Sequence, residues 1–438
     1  MIQFFIVTYF IAIFAIVFYS RKRSKGFEGF SLANKSLSTW VLIATIVATF
    51  YGSSAIIGGV GLAYALGMGV LWFIIPFYIG NLALIPFLKR IKEHESVTLP
   101  DFLGKFYGNK VISSSAILVG IYCLVPESII GAGKILTLLF PLSLEQSMVL
   151  VTSIIALYTI IGGMRSVAYS DVLQFFLLMV GMWVLAYGAF GYAPDFVSNL
   201  PSESFNPVAY IGPQEILLWC ILLFFLPITS APLYQRFFSS NPKADIRKAL
   251  LVSVLIWFLI DVTIVISGLV ASTILSVEDP DFVLLELTKL VLSPELQAVV
   301  FIGLLSALMS TADSFLHAGG TSLAYDVLGR LTKLGDNKLV QISRLFVVML
   351  AVTSLVSALI FQEVIPALIF FLSVWVSAMT IPTLSILLDK PLKERTILSC
   401  IFLGASSTVL WKALPLFNME PLFIGLIVSL VIALVDRL

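Results

Sequence analysis

The chain has 438 residues, 59% of them hydrophobic and only 12% charged, with a mean hydropathy of +1.06. That composition excludes an ordinary soluble globular protein. A net charge of +1 offers nothing to attract nucleic acid, and Cys123, Cys220 and Cys400 all fall in apolar runs, as packing residues rather than a disulfide framework.

Apolar stretches near the length of a bilayer crossing recur from end to end. They predict an all-α integral membrane protein with about thirteen spans: 2–20, 38–57, 68–88, 112–139, 147–163, 169–192, 214–236, 247–274, 297–325, 339–361, 364–388, 396–414 and 419–436. The first span is followed, not preceded, by the basic cluster Arg21-Lys-Arg-Ser-Lys25. No small-residue cleavage pattern accompanies it, so it reads as a retained helix rather than a signal peptide.

Span two contains Ala48-Thr-Phe-Tyr-Gly-Ser-Ser54, then Gly58, Gly59 and Gly61; span seven contains Pro227-Ile-Thr-Ser-Ala-Pro232. Unwound backbone is tolerated at membrane depth only where protein buries it or it lines a cavity. The two breaks lie five spans apart. They therefore suggest two five-helix halves of opposite topology, 36–192 and 213–389, with 2–20 before them and 395–437 after, and a binding site near the midplane. The alternative is that glycine and proline merely permit close packing or kinks.

Span four carries Glu127 and Lys134, and span eight carries Asp261. Ionisable groups at such depth face the bundle interior. In span nine, Ala307, Ser310, Thr311 and Ser314 recur at i, i+3, i+4 and i+7, on one helical face beside Asp313. Hydroxyls and a carboxylate without thiols or an imidazole trio suit a hard cation such as sodium. The competing reading is hydroxyls bonded back to their own helix. His317 lies further along the same face and is expected to be packed rather than a proton relay.

Basic residues set the direction. With the N-terminus outside, 23 of the 26 Lys and Arg residues fall on cytoplasmic connectors: the Arg21–Lys35 group, the Lys89–Lys110 group, Arg165, Arg236 to Lys248, Arg330 to Arg344, Lys390 to Arg395, and Arg437. Lys289 and Lys412 fall outside and Lys134 within a span. The expectation is a multi-pass plasma-membrane protein with its C-terminus in the cytoplasm.

Gly162-Gly-Met-Arg-Ser-Val-Ala-Tyr-Ser-Asp171-Val-Leu-Gln174 and Met309-Ser-Thr-Ala-Asp-Ser314, with weaker support from Thr98-Leu-Pro-Asp-Phe102 and Gln235-Arg-Phe237, resemble the sodium:solute symporter family over nearly the whole chain. The resemblance implies a leucine-transporter-type core of inverted five-helix repeats with one extra N-terminal and two extra C-terminal helices. It also implies sodium-driven uptake of a small organic solute; the sequence shows no nucleophile–base pair, phosphate loop or metal cluster, so no enzymatic activity is expected. The core sodium would take carbonyls of Ala48, Tyr51 and Ala307 and the hydroxyls of Ser310 and Thr311. Asp171, after an inner loop, would mark the sodium exit path, and Asp171, Ser310, Asp313 and Ser314 would hold a second sodium.

For the solute, the family's sugar-branch glutamine is replaced by Ala55 and its proline-branch aspartate by Phe50. Gly52, Ser53, Ser54, Glu127, Lys134, Thr229, Ser230 and Asp261 remain as candidate contacts. Lys134 would favour an anionic or zwitterionic solute, unless it pairs with Glu127 or Asp261 or reaches the outer surface. The rival functions are a proton-coupled transporter of the same fold and a membrane solute sensor.

Overall fold

The computed structural model describes residues 2–21, 25–332, 334–414 and 417–436. Lys22, Arg23, Lys333 and Arg437, counted above among the cytoplasmic basic residues, lie outside them. The described chain is helical, with one isolated bridge between Leu37 and Ser240 and no strand.

Among the described residues, eleven helical segments are long and apolar enough to cross a membrane, and Thr39–Phe50 and Pro421–Val435 are shorter apolar helices. Together they form thirteen crossings. These are α1 (Ile2–Arg21), α2a (Thr39–Phe50) with α2b (Gly59–Leu66), α3 (Leu71–Ala83), and α4a (Asn109–Tyr122) with α4b (Pro126–Leu139). Next come α5 (Leu144–Gly162), α6 (Met164–Tyr192), α7a (Pro213–Thr229) with α7b (Ala231–Ser239), and α8 (Ile246–Ile274). The last are α9 (Pro294–Ser322), α10 (Asp336–Phe361), α11 (Val364–Leu387), α12 (Glu394–Ala413) and α13 (Pro421–Val435).

Each break has a local cause. After Phe50 the backbone of Tyr51 leaves helical space (φ −100, ψ 63) and resumes as a π-helical turn over Ser54–Gly58. In α7, Ser230 is extended and caps α7b by accepting from the Leu233 amide, while Pro232 sits in the first turn, where no amide is needed. Span four was expected to be continuous, but it breaks at Cys123–Val125. Proline disfavours helical geometry in the residue before it, and Val125 stands at φ −126, ψ 48, its amide held by Ser354 Oγ at 3.1 Å.

The helices sort into two groups. α2, α3, α7 and α8 pack together, as do α4, α5, α9 and α10, and the breaks of α2 and α7 lie between the groups. α6 runs along α9 through small residues: a Cβ on Gly303 would stand 2.6 Å from the Leu177 carbonyl. The backbones of α7b and α2a are also joined near their ends, Leu37 donating to Ser239 O and Asn241 donating to Leu37 O. Exposed apolar side chains such as Phe176, Trp183, Val352 and Ile360 cover the outside of this assembly, as contact with lipid requires.

Two expected positions change. Span six starts at Met164, directly after Gly163, so Asp171 lies two turns inside α6 and is buried, not at a loop end. Gly163 has φ +71, and a Cβ there would meet Phe30 O at 2.8 Å, so only glycine fits. Arg236, counted as a cytoplasmic connector residue, is instead fully buried in α7b.

Candidate functional site

At the end of α2a, the last carbonyls of the helix have no successor turn to bond. α9 supplies a partner: the Thr311 hydroxyl donates to Ala48 O at 3.4 Å and back to Ala307 O of its own helix at 3.3 Å, the competing bond expected above, so oxygens from both helices converge on one point. Oxygens sit about 2.4 Å from a cation of sodium or calcium size, which puts neighbouring ligands of an octahedron about 3.4 Å apart. The spacing fits a hard cation. Gly52 lets the break approach this closely, because a Cβ would meet Thr311 Oγ1 at 2.9 Å. Tyr51 closes α2a and turns its ring onto Trp257, its hydroxyl donating to Trp257 O at 3.1 Å.

Ser310, one residue earlier on α9, turns away from these oxygens. Its hydroxyl donates to Asp171 Oδ1 at 2.6 Å. Asp171 also accepts from Thr45 Oγ1 and pairs with Arg236 Nη2 at 3.3 Å. The same guanidinium donates to Ser314 Oγ (2.5 Å), Thr45 Oγ1 (2.9 Å) and Pro232 O (3.1 Å). Ser314 in turn donates to Asp313 Oδ1 at 3.2 Å and accepts from Thr49 at 3.3 Å. Asp313 Oδ2 is buried without a hydrogen-bond partner, while the nearby Tyr158 hydroxyl donates to Met309 O. The four residues grouped in the sequence as a second ion site thus lie together, with Arg236 among them. The guanidinium pairs with Asp171 directly and reaches Asp313 through Ser314.

The sequence reading gave Thr45 and Thr49 no role and placed Arg236 on a connector. A signal existed: Thr45 and Thr49 stand one turn apart in an otherwise apolar helix, and Arg236 sits amid Tyr234, Phe237 and Phe238. A charge among large apolar residues is one that will be buried and needs a partner.

Beside the break is a cavity lined by Thr49, Phe50, Gly52, Ser54, Tyr122 and Glu127, closed by Thr311, Phe315 and α11 residues. A second lobe shares Phe50 and Ser54 and runs past Tyr51, Phe77 and Asp261. Tyr78 donates to Asp261. Of the candidate solute contacts, Gly52, Ser54, Glu127 and Asp261 reach these lobes and the others do not. Ser53 is buried against Gly131. Thr229 accepts from Trp375 Nε1 at 3.0 Å and Ser230 caps α7b while accepting from Tyr122 at 3.3 Å, so both hold the broken helix in shape.

Lys134 is the clearest departure. Its ammonium pairs with Asp279 at 2.8 Å and Asp281 at 2.7 Å and lies over the Phe282 ring, away from the cavity. It meets neither Glu127 nor Asp261, because α4b points it at the short helical loop after α8. The argument for an anionic solute therefore loses its residue. His317 is packed on Phe30, with Nε2 3.0 Å from Phe30 O.

The profile of the sodium:solute symporter family matches residues 30–389. The chain is 24% identical to the osmoregulated proline transporter of Bacillus subtilis, over 97% of its own length and 93% of that protein. It is 26% identical to the sodium/pantothenate symporter of Haemophilus influenzae, over 72% and 69%. Among solved structures, a Na+-coupled sialic acid symporter in a substrate-bound outward-open state superimposes with a TM-score of 0.82 at 17% identity, covering 100% of this chain and 97% of that one. Mhp1, a nucleobase-cation-symport-1 family transporter, gives 0.61 at 13% identity, covering 93% and 92%.

Proposed function

Because the chain belongs to the sodium:solute symporter family, we propose that it is a sodium-driven symporter moving a small organic solute by alternating access, with sodium seated at the end of α2a. The observation that carries the assignment is the Thr311 hydroxyl, placed between Ala48 O and Ala307 O at ligand-to-ligand spacing. Tyr51 O completes the proposed oxygen set, and Ser310 links it to Asp171. The proline and pantothenate relatives support a small polar solute.

Sodium at that point ties α2a to α9 and orders the Gly52–Ser54 wall of the cavity. Sodium and solute then each raise affinity for the other. On inward opening, sodium leaves past Asp171. Asp171 and Asp313 share the single guanidinium of Arg236, which supports a second cation held with Ser310 and Ser314. The bias of Lys and Arg to one set of connectors supports an N-terminus outside and a C-terminus in the cytoplasm of the plasma membrane.

One sodium crossing 100 mV supplies about 2.3 kcal/mol, and a tenfold gradient about 1.4. One-to-one coupling then supports accumulation of a neutral solute by about 500-fold. The test is sodium-dependent thermal stabilisation and proteoliposome uptake by Thr311→Ala. Removing one buried oxygen ligand is expected to raise the sodium requirement about tenfold or more, and Thr311→Ser to restore it. An unchanged sodium requirement overturns the site, and uptake driven by pH in the absence of sodium overturns the coupling.

A further inference from the structure

Outside the cavity, three buried carboxylates of the described residues meet a cation and Asp326 meets two hydroxyls; Asp313, bonded to the Ser314 hydroxyl, belongs to the Arg236 cluster described above. Asp281 has Lys134 and the Val364 amide; Asp171 has Arg236 and two hydroxyls; Asp101 has Arg330. Asp326 accepts from Thr98 at 2.6 Å and Ser322 at 2.8 Å. Glu127, only 7% exposed, stands in the first turn of α4b; its one side-chain donor is its neighbour Ser128 at 3.2 Å, and its other donors are amides of that turn, not a cation. No Lys, Arg or His among the described residues lies within 4.0 Å of it. Asp261, in the adjoining lobe, is likewise met by tyrosine rather than by a cation.

A carboxylate held that deep costs several kcal/mol when charged without a counter-charge, roughly, and none of the described residues sets a cation against it. The surrounding wall is aromatic: Phe50, Tyr122, Phe315 and Phe371 line the same lobe. A carboxylate beside ring faces is the combination that selects an ammonium group, through charge and the ring quadrupole together. Neutral polyols need several hydrogen-bonding side chains instead, and a free anion would be repelled by both carboxylates.

We propose that the transported solute carries an ammonium group, primary to quaternary, and that Glu127 is the residue that receives it. The inference rests on the cavity being the solute site of the symporter reading above. Asp261 adds a second negative charge to the vestibule beside it and draws cations toward the break. A solute of this class with net positive charge would bring its own charge into the field, so each cycle with one sodium would move two charges.

The test uses the full-length chain purified in nanodiscs, with thermal stabilisation read in sodium and in potassium. The probes are choline, ethanolamine, glycine betaine and proline, against choline's uncharged tert-butyl isostere and the carboxylate analogue of that isostere. Stabilisation by at least one ammonium compound is expected, with none by the uncharged isostere. Glu127→Gln, checked as monodisperse, should weaken the ammonium response about ten- to a hundredfold, the worth of one charge-assisted contact. Glu127→Asp should retain part of it. Equal or stronger stabilisation by the isostere or the carboxylate overturns the proposal. So does a panel in which no ammonium compound acts, or a Glu127→Gln variant that binds them as well as the wild type. Because the isostere comparison uses the wild-type chain, it decides even if the variant does not fold. An ammonium response equal in sodium and potassium keeps the inference and refutes sodium coupling. A sodium response lost in Glu127→Gln with the ammonium response intact assigns Glu127 to the ion and overturns it.

Discussion

Replacing Lys134 with alanine separates a structural lysine from a solute-binding one. Its ammonium contacts two carboxylates of unequal environment: the Asp279 side chain is 42% exposed and that of Asp281 is 8% exposed. The exposed partner contributes about 0–1 kcal/mol. Stranding the buried one costs about 3–5 kcal/mol, softened here because Asp281 keeps the Val364 amide at 3.1 Å. The expected loss is about 3 kcal/mol. With an unfolding entropy near 2.1 cal/mol/K per residue, a chain of 438 residues melting as one unit would lose about 3 °C in Tm. A double-mutant cycle tests the cause. Lys134→Met with Asp281→Asn should lose clearly less than the two single changes added, because neither leaves a charge behind. Thermal melts of the four proteins supply the cycle, and uptake of anionic and neutral solutes supplies the control. Unaltered stability together with selective loss of anionic solutes would refute the reasoning and return Lys134 to the cavity.

Two further outcomes follow from the same geometry. Arg236→Gln should destabilise the chain by about 3–5 kcal/mol, since Asp171 would stay buried without its cation; Asp171→Asn in the same chain should recover much of that in thermal melts, and additive losses would contradict the pairing. Gly52→Ala should push a methyl into Thr311, whose Oγ1 would stand 2.9 Å from the new Cβ. The cost is about 1–3 kcal/mol of overpacking, expected as weaker sodium binding by titrated stabilisation; an unchanged sodium midpoint would show that the break does not need that close approach.

The properties legible in the sequence are those that depend on neighbours along the chain. Apolar length against bilayer thickness is such a property, and the thirteen crossings came from it. The breaks in α2 and α7 were legible because glycine and proline impose their geometry locally. The same rule at Pro126 was available, yet the apolar run through span four hid the break, and only the packed structure exposed Val125 outside helical space. The oxygen stripe on α9 was legible from helical periodicity.

Partnership was not legible, because it is settled by side chains brought together from far apart. Arg236 reaches Asp171 across 65 positions, Lys134 reaches Asp279 across 145, and Thr311 meets Ala48 across 263. A lysine seven residues from a glutamate looks like its partner or like a solute anchor until the loop after α8 folds over it. Sequence alone thus determined the class, the crossings and the hydroxyl stripe on α9, all consequences of local length, period and backbone freedom. Tertiary structure decided which charges cancel one another, and so which carboxylates, Glu127 and Asp261, are left facing the cavity.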